Sequence, residues 1–305
     1  MLKVGVIGLG SMGKIHLRNY CEMPDVQVVG VMDVAQGNLD DARQRFGVAG
    51  FTTLEELLAL ELDAVSISVP TVLHFEVAMQ VIERGVALLV EKPLAATAEQ
   101  GRQLVEMARL KGVPLMVGHI ERFNPAVQRV KELVGDDLIS LSIERVGPFP
   151  VRIQDVGVIR DLGSHDIDLL RFLTGSNFQS VSGVFSASMG KHEDSAVITA
   201  KMENGVLGHI TTNWVTPFRS RKIRAACKSR FIEANLMTQE VREYSPFSNE
   251  EKTYNVREWP AVQREQMREE LTQFLAAVRD KTPVPISGED GLEVLTVIER
   301  IFAGA

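Results

Sequence analysis

"VGVIGLGSMG", residues 4–13, decides how the rest of the chain is read. A β-branched run from Val4 to Ile7 breaks at Gly8, and Gly10 and Gly13 complete a G-x-G-x-x-G spacing. From Ser11 onward, "SMGKIHLRNYCEM" has helical periodicity. A strand that turns on glycine into a helix is the first half of a βαβ unit. Further apolar runs follow at "VQVVGVMD", "LDAVSISVP", "VALLVEK" and "VPLMVGH", with helical stretches such as "TVLHFEVAMQVIERG" between them. Nearly continuous apolar strands alternating with helices describe a parallel sheet covered on both faces. The expected fold class over residues 1–120 is therefore α/β, a doubly wound Rossmann domain.

After about residue 120 the texture changes. A helical stretch around Pro125–Val134 leads into "LISLSIERV", and a second helix is expected at about Asp161–Thr174. Extended segments follow at "SVSGVFSAS", "SAVITAKM", "GVLGHITTNW" and "RFIEANLM". Asn204-Gly205 between two β-rich runs is a strong hairpin signal. Residues 121–305 are expected to form an α+β domain with an open, mostly antiparallel sheet. The tail from Pro260 reads as helical, broken by "KTPVPISG", and could pack against either domain.

The glycine spacing carries chemistry. Gly8 permits the turn, Gly10 lets a pyrophosphate approach the backbone, and Gly13 lets helix and strand pack closely. Ser11, Met12 and Gly13 open the helix, whose N-terminus offers N–H groups and positive potential to an anion. Asp33 ends the second strand, twenty residues after Gly13, where a carboxylate can accept from both hydroxyls of an adenosine ribose. It would repel a 2′-phosphate, so NAD is the expected cofactor; Arg43 and Arg45 keep NADP open. The plain alternative is that the glycines merely serve a turn.

Ligands of an open parallel sheet sit beyond the carboxyl ends of its strands. Two such ends are unusual here. In "SVPTVLH", Pro70 closes a strand and Thr71 and His74 follow; in "VEKP", an apolar run stops at Glu91 and Lys92, and Pro93 stiffens the exit. Lys92 could bind a reacting oxygen, although a solvated surface ion pair would have the same sequence. In "DLGSHDIDLLRFLTG", Asp161, His165 and Asp168 fall at i, i+4 and i+7, one face of a continuous helix. His165 could take a proton near neutral pH with Asp161 orienting its ring, while Asp168 is read as anchoring the helix. A satisfied structural histidine is the alternative.

"GVIGLGSMGKIH", "VPTVLH", "EKPLA" and "DLGSHDIDLLRFL" together resemble the glucose–fructose oxidoreductase / inositol dehydrogenase / rhizopine catabolism (Gfo/Idh/MocA) family, over most of the chain. That resemblance implies an NAD(P)-dependent dehydrogenase of CH–OH groups in which Lys92 contacts both nicotinamide and the hydroxyl, and Asp161 with His165 completes the catalytic group. It places Gly8, Gly10, Ser11, Met12, Gly13, Asp33, Pro70, Thr71, His74, Glu91 and Lys92 around the cofactor. "VGHIERFNPAV" and "GVIRDLGSHDIDLLRFLTG" look like a branch that oxidises C3 of UDP-N-acetylglucosamine, giving a 3-keto sugar for an aminotransferase in lipid A precursor synthesis. His119, Arg122, Asn124, Arg160 and His165 are then the expected substrate contacts. Arg152 and the cluster Arg219, Arg221, Lys222, Arg224 near Trp214 could meet a diphosphate or simply form a solvated edge. A free polyol such as inositol or glucose is the alternative substrate, and a catalytically silent NAD-binding regulator the alternative class.

The bulk numbers agree. At 305 residues, two domains are the natural division. A net charge of -7 gives no support to nucleic-acid or anionic-membrane binding. Two distant cysteines, Cys21 and Cys227, fit a reducing cytoplasm and no disulfide framework. The histidines show no metal-ligand spacing, so no metal is expected. A bare sheet face and the family habit point to a homodimer or homotetramer.

Overall fold

A computed structural model describes residues 1–150 and 156–304; Arg152 lies outside them. The chain forms two compact units, one of Met1–Ile120 with Met267–Leu295, the other of Glu121–Gln266 with the last residues from Thr296.

In the first unit β1 (Leu2–Ile7), α1 (Ser11–Cys21), β2 (Val26–Met32) and α2 (Gln36–Phe46) lead to a two-residue strand, β3 (Gly50–Phe51). Then come α3 (Leu54–Leu58), β4 (Ala64–Ile67), α4 (Thr71–Glu83), β5 (Ala87–Glu91), α5 (Ala98–Lys111) and β6 (Leu115–Gly118). The strands are parallel and lie in the order β3-β2-β1-β4-β5-β6, the doubly wound order of a Rossmann domain. β4 and β5 are buried at every residue, which is why they read as unbroken apolar runs rather than alternations. β3, absent from the sequence reading, is too short for any period. The returning segment adds α8 (Gln266–Asp280), whose Leu271, Phe274 and Leu275 are buried. Beyond it the Val117 N–H donates to the Ile286 carbonyl at 3.1 Å.

The second unit begins with a 3₁₀ turn (Ile120–Phe123) and α6 (Pro125–Leu133), then β7 (Leu138–Val146) and α7 (Ser164–Thr174). Its strands continue as β8 (Phe178–Ser186), β9 (Ser195–Met202), β10 (Leu207–Asn213), β11 (Ser220–Cys227), β12 (Phe231–Asn235), β13 (Glu240–Tyr244) and β14 (Val256–Trp259). They make one sheet in the order β14-β13-β12-β11-β7-β10-β9-β8. Only β7 and β10 run parallel; the other neighbours are antiparallel. β9 and β10 form the hairpin marked by Asn204-Gly205, with Gly205 at φ 87. Every second residue of β9 is buried and the rest face away from the core, while α6 and α7 pack on the sheet. α9 (Gly288–Ala303) closes the chain.

The expected single helix at 161–174 is corrected. Ile159–Gly163 is a π-helical turn and the α-helix starts at Ser164. The segment that carries Asp161 is thus wound more widely than the one that carries His165.

Candidate functional site

Gly8 sits at φ +87, and a Cβ there would lie 2.8 Å from the Ser68 carbonyl carbon, so the turn between β1 and α1 admits only glycine. A Cβ on Gly13 would lie 1.8 Å from the Gly8 oxygen; α1 is docked directly against the loop it leaves. At Gly10 the same construction meets nothing within 4 Å. Gly10 is also the N-cap of α1 and supplies no side-chain cap, so the helix start faces open space with its dipole uncapped by any side chain. That is the cradle a pyrophosphate requires, and the fit extends to Asp33. Its Oδ2 accepts from the Leu9 N–H at 2.6 Å and its Oδ1 from the Ala35 N–H at 2.8 Å. These bonds hold the carboxylate at the rim of the glycine loop, with lone pairs left for ribose hydroxyls.

The crevice continues along β4 and β5. β1 and β4 are neighbours and are the strands at which the sheet order reverses. Ser68 Oγ donates to the Gly8 carbonyl at 2.8 Å, tying the two strand ends together. Pro70 caps α4 and Thr71 begins it. His74, expected beside the cofactor, is buried and makes a brace instead: Nδ1 lies 2.8 Å from the Pro93 carbonyl and Nε2 2.9 Å from the Val69 carbonyl. Burial pulls its pKa below the ordinary value against those carbonyls, which favour the charged ring. The neutral ring has a single N–H, so it donates to one of these carbonyls and packs its other nitrogen beside the second, between the exit of β4 and the Glu91-Lys92-Pro93 hook. Glu91 is buried, and its Oε2 accepts from the Lys92 N–H at 3.2 Å. Lys92 is half-buried.

In the second unit Asp161 and His165 are half-buried, Asp161 in the π-turn and His165 in the first turn of α7. Glu193 sets the start of this segment: its carbonyl accepts from the Val158 N–H at 2.8 Å and its Oε1 from the Ile159 N–H at 3.2 Å. Asp168 anchors α7, as its sequence position suggests, by a buried two-point pair with Arg122: Nε to Oδ2 at 2.9 Å and Nη2 to Oδ1 at 2.6 Å. Asn124, expected at the substrate, is fully buried; its Oδ1 accepts from the Ala126 N–H at 3.0 Å and its amide donates to the Leu236 carbonyl at 2.9 Å. The first is the bond of a helix N-cap, and the second ties the start of α6 to the residue after β12. His119 is buried at the end of the first unit, and Arg160 lies over the Phe302 ring at 5.6 Å.

Sequence reasoning missed the arginine at the centre of this unit. Arg145 on β7 is 2% exposed and donates to Glu121 Oε1 at 2.7 Å and to Asp166 Oδ1 at 2.8 Å. Arg221 on β11 pairs across from Arg145 and shares Glu121 at 3.0 Å. Burial pushes Asp166 up to about 6 against the pull of Arg145, whereas Arg145 and Arg221 together outweigh burial and hold Glu121 low. The basic cluster is therefore divided: Arg221 lies on the covered side of the sheet, while Arg224, three residues on, pairs with Glu233 at 3.0 Å. Trp214 is buried against Phe149.

Residues 2–119 match the model of an oxidoreductase family with an NAD-binding Rossmann fold, Gfo/Idh/MocA, and residues 147–232 match the C-terminal domain of the same family. The UDP-N-acetylglucosamine 3-dehydrogenase of Acidithiobacillus ferrooxidans is 30% identical over 308 residues, spanning 98% of this chain and 96% of that one. The structure of that enzyme matches with a TM-score of 0.93 and 28% identity, over 100% of this chain and 97% of the other. The structure of GenD2 from gentamicin A biosynthesis, in complex with NAD, matches with a TM-score of 0.87 and 25% identity, over 100% and 94%. The myo-inositol 2-dehydrogenase of Thermotoga maritima is 26% identical over 312 residues, spanning 95% of this chain and 92% of that one.

Proposed function

The chain belongs to the Gfo/Idh/MocA family of NAD-binding oxidoreductases, and from that premise we propose that it oxidises C3 of UDP-N-acetylglucosamine to the 3-keto sugar. The observation that carries the substrate is similarity along the whole chain, 30% identity over 98% of it, to the dehydrogenase with that specificity. An aminotransferase acting on the 3-keto product is the fitting next step, because a ketone beside an acetamido carbon is a substrate for amination.

NAD, once bound along the glycine loop, supplies the hydride acceptor. The chain's own residues do the rest. We assign His165 to take the hydroxyl proton, with Asp161 steadying the imidazolium, and Lys92 to hold the oxygen as its C–O bond becomes a carbonyl. His119 and Arg160 remain as substrate contacts; Arg122 and Asn124 are assigned to holding α7 and α6. The exposed face of the eight-stranded sheet is assigned to a homo-oligomer contact, which light scattering at micromolar concentration checks against a monomer.

Steady-state NADH production with UDP-N-acetylglucosamine, inositol and glucose separates the substrates. Thermal stabilisation by UDP alone is expected; turnover of a free polyol without any response to UDP would refute the nucleotide-sugar reading. Lys92→Ala and His165→Ala should each lower kcat by about 100-fold or more while leaving NAD binding in place. A near-wild-type rate in either removes that residue from the scheme.

A further inference from the structure

Behind the Lys92 hook lies a buried polar cluster that the reaction above leaves unused. His16 on α1 is wholly buried, and its Nε2 lies 3.0 Å from Glu91 Oε1. Its Nδ1 lies 3.0 Å from Ser66 Oγ on β4, which is 2.8 Å from the Tyr20 hydroxyl. Glu270 on α8 completes the group. It is fully buried, and one atom from each of His16, Glu91 and Glu270 falls within 4.8 Å of the others. Neither carboxyl oxygen of Glu270 has a hydrogen-bond partner among the described residues. The titratable groups facing the cluster are His16 and Tyr20 from α1, Glu91 and Lys92 from the end of β5, His74 from α4, and Glu270 itself.

Two carboxylates this close cannot both be charged in a dry interior without large cost. Their surroundings settle which one keeps a proton. Glu91 receives donors from the His16 ring and the Lys92 N–H; burial would raise it, but His16 and Lys92 outweigh burial and hold it below the ordinary range. Glu270 has only the opposing influences, and burial followed by the charge of Glu91 pushes it well above that range.

We propose that Glu270 is a positioning residue for Lys92: a neutral carboxylic acid that backs Glu91 without repelling it. Glu91 then keeps both of its bonds, one to His16 and one to the backbone of the residue that bears the ammonium. A second charge in place of the neutral acid, or a hole, lets Glu91 turn away and takes the hook with it. A divalent cation could in principle satisfy an imidazole and two carboxylates. The 3.0 Å approach of His16 to Glu91 is a hydrogen bond, however, whereas ligands of a tetrahedral zinc stand about 3.4 Å apart when each is about 2.1 Å from the metal.

The inference rests on the assignment of Lys92 to the substrate oxygen, so its test has one arm that needs no substrate. Thermal midpoints of the wild type and Glu270→Gln are compared from pH 5 to pH 9. The raised pKa of the folded state means that the contribution of Glu270 is complete below the unfolded carboxyl range and drains away as pH rises. The wild type should therefore lose stability relative to the glutamine variant across this range. Parallel curves overturn the neutral acid, as does one divalent ion per chain retained after dialysis against EDTA. The second arm reads turnover: Glu270→Ala should lower kcat by about tenfold with the Kd for NAD unchanged, and Glu270→Gln should restore kcat to within about threefold. Equal kcat in all three proteins overturns positioning, and so does a tenfold loss in a folded glutamine variant, which decides the matter even if the alanine variant does not fold. A failed choice of substrate would silence the second arm and leave the first intact.

Discussion

One methyl group added at Gly10, and one at Gly13, should have opposite consequences although the two glycines are three residues apart. At Gly10 the backbone, at φ -67 and ψ -162, suits any L-residue, and the new Cβ meets nothing within 4 Å. Gly10→Ala should then stabilise the free protein by about 0.4–1 kcal/mol, because alanine has less freedom to lose on folding. The open space it fills is where a pyrophosphate would approach the helix N-terminus. Forfeiting one hydrogen bond to a charged phosphate costs about 1.5–3 kcal/mol, so NAD affinity should fall roughly 10–100-fold at about 1.4 kcal/mol per decade. At Gly13 the Cβ would stand 1.8 Å from the Gly8 oxygen and 2.6 Å from Ser68 Oγ. The first contact is with backbone, so no rotamer relieves it; Gly13→Ala should destabilise by about 1–3 kcal/mol or more and lose NAD as well. Thermal unfolding without cofactor gives the stability term, and calorimetric titration of NAD gives the affinity. A Gly10→Ala protein that binds NAD as the wild type does would refute the reading of the loop, and so would a Gly13→Ala protein that melts with the wild type.

Asp33→Ala removes the acceptor of two backbone N–H groups and should cost about 1–3 kcal/mol of stability, while narrowing the preference for NAD over NADP in parallel titrations. Arg122→Ala leaves Asp168 buried without its cation and should destabilise by about 3–5 kcal/mol in denaturant unfolding; with Asp168→Asn added, the joint loss should be smaller than the sum. His74 has a folded pKa below its unfolded one, so its contribution is present above about pH 6.5 and is lost as pH falls through the two values. A His74→Gln protein should lack that acid-side slope in its melting temperature, and an unchanged slope would count against the buried neutral ring.

What the sequence made legible follows from how each feature is encoded. The glycine loop and Asp33 were readable because a change of period, from strand to helix, coincides with residues that only a turn and a ribose would demand. β4 and β5 were readable because burial on both faces leaves a run with no polar interruption. The π-turn at Ile159–Gly163 was not readable, since its composition is that of an ordinary helix start and only the hydrogen-bonding pattern differs. Asn124 and Arg122 read as ligand contacts because polar residues past a strand end often are; their bonds to Leu236 and Asp168 join residues 112 and 46 positions apart and have no local signature in the sequence. One missed signal was available: in "LISLSIERV" the alternation that buries Leu141 and Ile143 buries Arg145 too, and a buried arginine needs carboxylates. Glu270 offered no such clue, because it follows another glutamate on an amphipathic helix and meets Glu91 from 179 positions away in the chain.

The return of Met267–Leu295 to the first unit has a bearing on biosynthesis. A ribosome that has released residues 1–120 has delivered every strand of the parallel sheet but not α8, nor Ile286, which bonds to Val117 at the sheet's last strand. Until residues 267–295 have emerged, the nascent sheet waits with an apolar flank uncovered and His16 and Glu91 open to water. Maturation of the nucleotide-binding half thereby waits for the second unit's strands to be translated first, and a gene truncated after the Rossmann strands should yield an insoluble product instead of a small NAD-binding protein.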